Sequence, residues 1–271
     1  MTKHPLLILT LTTVLLDFGA TPRIANSQAN KTATAGLTDG ALSPLQNDQR
    51  AEAEAAHRAG YDFFIKRDYK KALEAYLSEL PLRRAARDKL GEAWALDSIA
   101  QAYQNLNDQQ RALSYYNQAL PLFRQLHESH GEARTLHGLA ASYMALQDTK
   151  RALQWLNKLV PIVHASKDRQ WEGIVLGDLG VAYMESGNNK KAFEMFTHRL
   201  SYEREQQNQV GEAEALKALG IAYEMTRDKK RAIEHYQDAL AIWLRMSETM
   251  ESEHLNREMA DMQQAIKRLQ Q

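Results

Sequence analysis

Residues 91–130 read GEAWALDSIAQAYQNLNDQQRALSYYNQALPLFRQLHESH. The same pattern restarts at Gly131, at Trp171 and at Gly211 with no insertion between copies, and a weaker copy begins at Ala51. A fixed period of forty residues marks a solenoid, in which each unit buries its apolar face against its neighbours. In the first half of the quoted stretch, Leu96, Ile99, Ala100, Tyr103 and Leu106 recur at spacings of three and four. That is one stripe of a helix and not the alternation of a strand. The later copies repeat it: Leu136, Leu139, Ala140, Tyr143; then Leu176, Leu179, Gly180, Tyr183; then Leu216, Leu219, Gly220, Tyr223. The second half carries its own stripe, Ala112, Leu113, Tyr116, Ala119 and Leu120.

Between the halves stand Asn107-Asp108, Gln147-Asp148, Gly187-Asn188 and Arg227-Asp228. Such residues stop one helix and cap the next, and so short a turn makes the two helices antiparallel. Small residues share one position (Ala100, Ala140, Gly180, Gly220) and let helix axes approach, with Tyr103 and its equivalents expected to fill the gap one turn on. Pro81, Pro121 and Pro161 lie well inside the second helices and should kink them.

Outside the repeats the chain changes character. Lys3 and His4 precede an apolar run over residues 6–16. Such a run is too short for a bilayer, which needs about 20 residues, and reads as a secretory signal peptide cleaved after Ala29. Residues 30–47, rich in Thr, Ala, Gly and Ser, read as a flexible linker. Five units follow over residues 48–250, with boundaries at 51–90, 91–130, 131–170, 171–210 and 211–250. Residues 251–271 carry one narrow apolar stripe, Leu255, Met259, Met262, Ile266 and Leu269, as a terminal capping helix would.

Charge and composition exclude several functions. Lys and Arg number 34 and so do Asp and Glu, which argues against a nucleic-acid binder. Short charge runs such as residues 67–71 read as solvated helix faces. The absence of Cys removes disulfides and thiolate chemistry. No phosphate-binding glycine loop, nucleophile elbow or zinc-protease motif is present. His127, His130 and Glu132 are the nearest approach to a metal site, and they read as a solvated turn. The expectation is therefore no enzyme, no cofactor, no metal and no small-molecule substrate.

The pattern small-x-x-Tyr, then Ala nine residues on, then an aromatic or Leu four further, resembles the tetratricopeptide repeat (TPR) in its longer, forty-residue bacterial form. The resemblance implies an all-α, right-handed solenoid of antiparallel helix pairs whose concave groove is lined by the first helix of each repeat. In that register the lining positions are Trp94, Asp97, Gln101 and Gln104; Arg134, His137, Ala141 and Met144; Ile174, Gly177, Val181 and Met184; Glu214, Lys217, Ile221 and Met225. Neither the carboxylate clamp of chaperone-binding members nor the Asn ladder of peptide-backbone readers is assembled there. An apolar strip, Ala141, Met144, Ile174, Val181, Met184, Ile221 and Met225, is available instead, either to hold a partner segment or to pack against the neighbouring helix. The expected function is an exported, non-catalytic scaffold for a protein or peptide partner. The alternative is a stand-alone regulatory or sensor protein acting in trans on an effector in bacterial signalling.

Overall fold

A computed structural model describes residues 43–166, 169–248 and 252–271. The signal peptide and nearly all of the linker expected from the sequence lie outside the described residues. Eleven helices and no strand occur among the described residues. Helices α1 (Pro44–Ile65), α2 (Tyr69–Ala85), α3 (Lys89–Asn105), α4 (Gln109–Gln125) and α5 (Ser129–Ala145) form one compact unit. A second holds α6 (Thr149–Ser166), α7 (Arg169–Glu185), α8 (Asn189–Glu205), α9 (Gln209–Met225), α10 (Lys229–Ser247) and α11 (Glu253–Gln270). Within each unit consecutive helices pack on one another, and successive first helices also touch, α3 on α5 and α7 on α9. This is an all-α solenoid of helix pairs.

The first helix begins four residues before Asp48. Ser43 accepts the backbone N–H of Gln46, whose side chain accepts the Ser43 N–H in return, and Pro44 occupies the first turn. This reciprocal cap makes residues 44–47 helix rather than linker. Helices α2, α4 and α6 run through Pro81, Pro121 and Pro161 as single helices.

Turns at both edges close with one device. At eight turns among the described residues the residue after the C-cap is left-handed: Arg67, Arg87, Asn107, His127, Gln147, Gly187, Gln207 and Arg227. Its N–H donates to the carbonyl three residues back, and the next N–H reaches five back, as in Arg227 N to Glu224 O (3.0 Å) and Asp228 N to Tyr223 O (2.9 Å). That is the Schellman arrangement. The next residue is at once the N-cap of the following helix: Asp68, Asp88, Asp108, Glu128, Asn188, Asn208 and Asp228 each accept a backbone N–H three residues on. No residue is spare, so the repeat length is fixed by the backbone.

The apolar stripes of both helices form the core. Leu96, Ile99, Leu136, Leu139, Leu216 and Leu219 are buried, and each such side chain contributes roughly 1.5–3 kcal/mol. The small-residue position works differently from expectation. A Cβ on Gly60 or Gly220 would lie 2.5 or 2.7 Å from the ring of Tyr76 or Tyr236, on the second helix. Those rings fill the gap. The first-helix rings instead receive cations from the next helix: Arg111 over Tyr103 at 4.5 Å, Lys191 over Tyr183 at 5.1 Å, Arg231 over Tyr223 at 4.6 Å.

Helix α11 closes the second unit. Leu255, Met262 and Leu269 are buried, while Glu258 takes Lys217 (2.6 Å) and Arg268 takes Glu224 (2.6 Å). It thus covers part of the face of α9.

Candidate interaction faces

In the first unit the face formed by α3 and α5 centres on a carboxylate. Asp97 is completely buried. Its Oδ2 lies 2.7 Å from Arg134 Nε and accepts a longer bond from Gln101 Nε2 at 3.4 Å, while Oδ1 accepts from Thr135 Oγ1 at 3.0 Å. Burial pushes the Asp97 carboxyl up, and the Arg134 charge opposes that shift. Arg134 in turn stands 5.5 Å over the Trp94 ring, which meets Phe123 edge-on at 4.8 Å and His130 at 5.9 Å. Trp94, Asp97, Gln101 and Arg134 are therefore one cluster, whose charge is matched internally.

Gln104 bridges the same two helices. It accepts from Tyr116 Oη (3.0 Å) and donates to Gly138 O (3.4 Å) and Ser142 Oγ (3.3 Å). Trp94, Gln101, Arg134, His137 and Met144 are half-buried and so reach the surface of this face, whereas Ala141 is buried.

In the second unit the apolar positions divide. Val181 and Met184 are buried, Ile174 and Ile221 are half-buried, and Met225 is exposed. The continuous apolar strip offered by the sequence is thus interrupted: Ala141, Val181 and Met184 are core. Lys217 is engaged by Glu258, and Glu214 by Arg199 Nη2 at 2.5 Å.

The fourth repeat departs from the pattern of the others at Arg199 and at Gly173. Arg199 and Glu203 are buried on α8, 3.7 Å apart, and Asn208 Nδ2 donates to Glu203 at 2.8 Å. Burial pushes the Glu203 carboxyl up against the pull of Arg199. A Cβ on Gly173 would collide with Glu203 Oε1, and one on Gly177 would lie 2.9 Å from Arg199 Nη1. The two glycines make room for the ion pair. The first repeat has the same pair in reverse order, Glu79 and Arg83, with His57 Nδ1 2.9 Å from Glu79 and Asp88 2.8 Å from Arg83. The equivalent residues elsewhere are apolar: Ala119 and Phe123, Leu159 and Val163, Ala239 and Trp243. Among the described residues no three His, Asp or Glu side chains gather as a metal would require.

Stacked helical hairpins of constant length, with first helices side by side, define a helical-repeat protein. The chain matches the Tetratricopeptide repeat family over residues 51–125 and 131–205, more than half its length, and it belongs to that family. None of the curated proteins matches it. Among solved structures it is similar to a Podosopora anserina chain of nearly identical TPR-like repeats, assigned to the kinesin light chains (18% identity, TM-score 0.62, covering 75% of this chain and 98% of that one). It is also similar to the apo form of RapI (17%, TM-score 0.66), covering 80% of this chain and 62% of RapI. The apo form of the quorum sensor NprR from B. thuringiensis shares 14% identity, with TM-score 0.65, over 95% of this chain and 68% of NprR. At these identities the likeness is one of fold.

Proposed function

We propose that this chain is an exported, non-catalytic scaffold that holds a segment of a protein partner on the face of its first helices. The observation that carries this reading is the Asp97–Arg134–Trp94 cluster. The buried carboxylate fixes Arg134, Arg134 and Phe123 fix Trp94, and an indole and a guanidinium are thereby presented in a set arrangement. Trp and Arg held rigid in this way are the residues that dominate protein interfaces. Half-exposed Gln101, His137 and Met144 extend the surface, and Met adapts to varied side chains. In the second unit Ile174 and Ile221 offer smaller apolar contacts.

A photo-crosslinking amino acid at Gln101, on this face, should trap a defined partner in the cells that make the chain. The same group at Gln118, exposed on α4, should trap none. Trapping at neither position, or equally at both, overturns the reading. Export is tested separately, by the mass of the chain isolated from those cells. Loss of residues 1–29 supports it, whereas an intact N-terminus favours a regulator acting inside the cell.

A further inference from the structure

The chain has equal numbers of acidic and basic groups, but the structure does not spread them evenly. One edge of each unit is formed by the turns between the first and second helix of a repeat, the other by the turns between repeats.

At the between-repeat edge most cations are matched, Arg87 being an exception among the described residues. Arg84 meets Glu92, Arg124 meets Glu132 and Arg204 meets Glu212, each at 2.8 Å, and Arg83 meets Asp88 at 2.8 Å.

The within-repeat edge is different. In the first unit residues 65–71 carry Lys66, Arg67, Lys70 and Lys71 against the single carboxylate of Asp68, which Lys71 engages at 3.0 Å. In the second, residues 225–231 carry Arg227, Lys229, Lys230 and Arg231 against Asp228 alone, which Arg231 engages at 2.6 Å. Lys190 and Lys191 stand in the neighbouring turn, where Glu185 is the single carboxylate over 185–191. Among the described residues, no carboxylate comes within 4.0 Å of Lys66, Lys70, Lys190, Arg227 or Lys229, and all five are exposed.

Large aliphatic side chains stand exposed among these cations. Ile65 is 50% exposed immediately before Lys66, and Met225 is 39% exposed two residues before Arg227. Both end a first helix at the same repeat position, and Leu146 is exposed one position further on in its own repeat. Protruding aliphatic groups ringed by Lys and Arg are not what a phosphate backbone selects, since single-stranded nucleic acids are gripped by exposed aromatic platforms. The combination fits a surface that is anionic outside and apolar just beneath: lipid headgroups over the acyl boundary.

We propose that the within-repeat edge of the second unit docks this chain onto an anionic lipid bilayer. Lys190, Arg227, Lys229 and Lys230 meet the headgroups, and Met225 enters the interface. No described helix is long and apolar enough to cross a membrane.

The test is flotation of the chain, in the form isolated from its own cells, with vesicles of phosphatidylglycerol and phosphatidylcholine or of phosphatidylcholine alone. Any apolar leader still present acts on both vesicle types and in every variant. The expected result is binding to the anionic vesicles only, weakened by raising salt from about 50 to about 300 mM, as screening of surface charge demands. Each cation neutralised should weaken binding about fivefold, so the triple variant Arg227→Gln, Lys229→Gln, Lys230→Gln should lose about 100-fold. Met225→Ser should weaken it further, with helicity unchanged by circular dichroism. Equal flotation with both vesicle types, or a triple variant that floats like the parent, overturns the proposal. So does tight binding of a DNA duplex by a chain that ignores the anionic vesicles.

Discussion

Arg134 Nε lies 2.7 Å from Oδ2 of Asp97, a carboxylate with no exposure to solvent, and this contact ties two successive first helices together. Removing one partner of a buried pair is costly because the other is left uncompensated. Asp97→Ala should therefore lower stability by about 3 kcal/mol. Asp97→Asn, which keeps an acceptor for Thr135, should lose less. Urea unfolding followed by circular dichroism measures both, and a smaller loss for Ala than for Asn would contradict the arrangement.

The buried pair of α8 allows a sharper test. Glu203→Ala alone leaves Arg199 short of a partner and should destabilise by about 3 kcal/mol. Arg199→Ala with Glu203→Phe reproduces the Ala119 and Phe123 of another repeat and should be neutral or stabilising. Gly173→Ala should destabilise the parent, although Ala is the better helix former by about 1 kcal/mol, because its methyl meets Glu203. Combined with Arg199→Ala and Glu203→Ala it should become stabilising. Thermal melts of the set give the coupling.

The left-handed turn residues predict gains as well as losses. A side chain in that conformation costs roughly 1–2 kcal/mol, part of which glycine gives back through its freer unfolded chain. His127→Gly and Arg87→Gly, both exposed, should each stabilise by about 0.5–1 kcal/mol. Gly187→Ala should destabilise by about 1 kcal/mol, wholly through its backbone, since nothing lies within 4 Å of the added carbon.

Much of this fold could be read from the chain before any coordinates. The three-and-four spacing of Leu96, Ile99 and Tyr103 dictated helices, and Asn107-Asp108 marked a stop and a cap. Other features left no such trace. A left-handed residue announces itself only when it is Gly, so Arg67, Arg87 and His127 were silent. The Ser43 cap was visible as Ser-Pro-x-Gln but lay in a stretch whose composition suggested linker. Val181 and Met184 looked like groove lining because first helices are apolar on more than one side, and only packing tells which apolar side is covered. Glu203 and Gly173 are each unremarkable alone, and their meaning is their proximity in space. Zero net charge likewise hid a segregation of cations that only the placement of the turns reveals.

The capping carboxylates give the pH dependence. Backbone and side-chain hydrogen bonds from Arg231 hold Asp228 below the usual carboxylate range, and Arg111 does the same for Asp108. A lowered folded-state value means that the contribution is present above about pH 4 and is lost as pH falls through the lowered value. The double variant Asp108→Asn, Asp228→Asn keeps both caps, as Asn188 and Asn208 do naturally. It should melt slightly below the parent at pH 7, and the gap should narrow as the pH falls below the usual carboxylate range. A gap that widens on acidification would show that these carboxylates stabilise nothing.

Glycine opens the second, third and fifth repeats, at Gly91, Gly131 and Gly211, and each would collide through an added methyl with the bulky residue eight before it: Arg83, Phe123 or Glu203. The fourth repeat opens on Trp171 instead, eight residues after the much smaller Val163. Modules of one length are thus not freely exchangeable. Excising residues 91–130 sets Gly131 behind Arg83, a junction already in use, whereas excising 131–170 sets an indole behind Phe123. A lineage shortening or lengthening this protein by whole units would find the first splice open and the second closed.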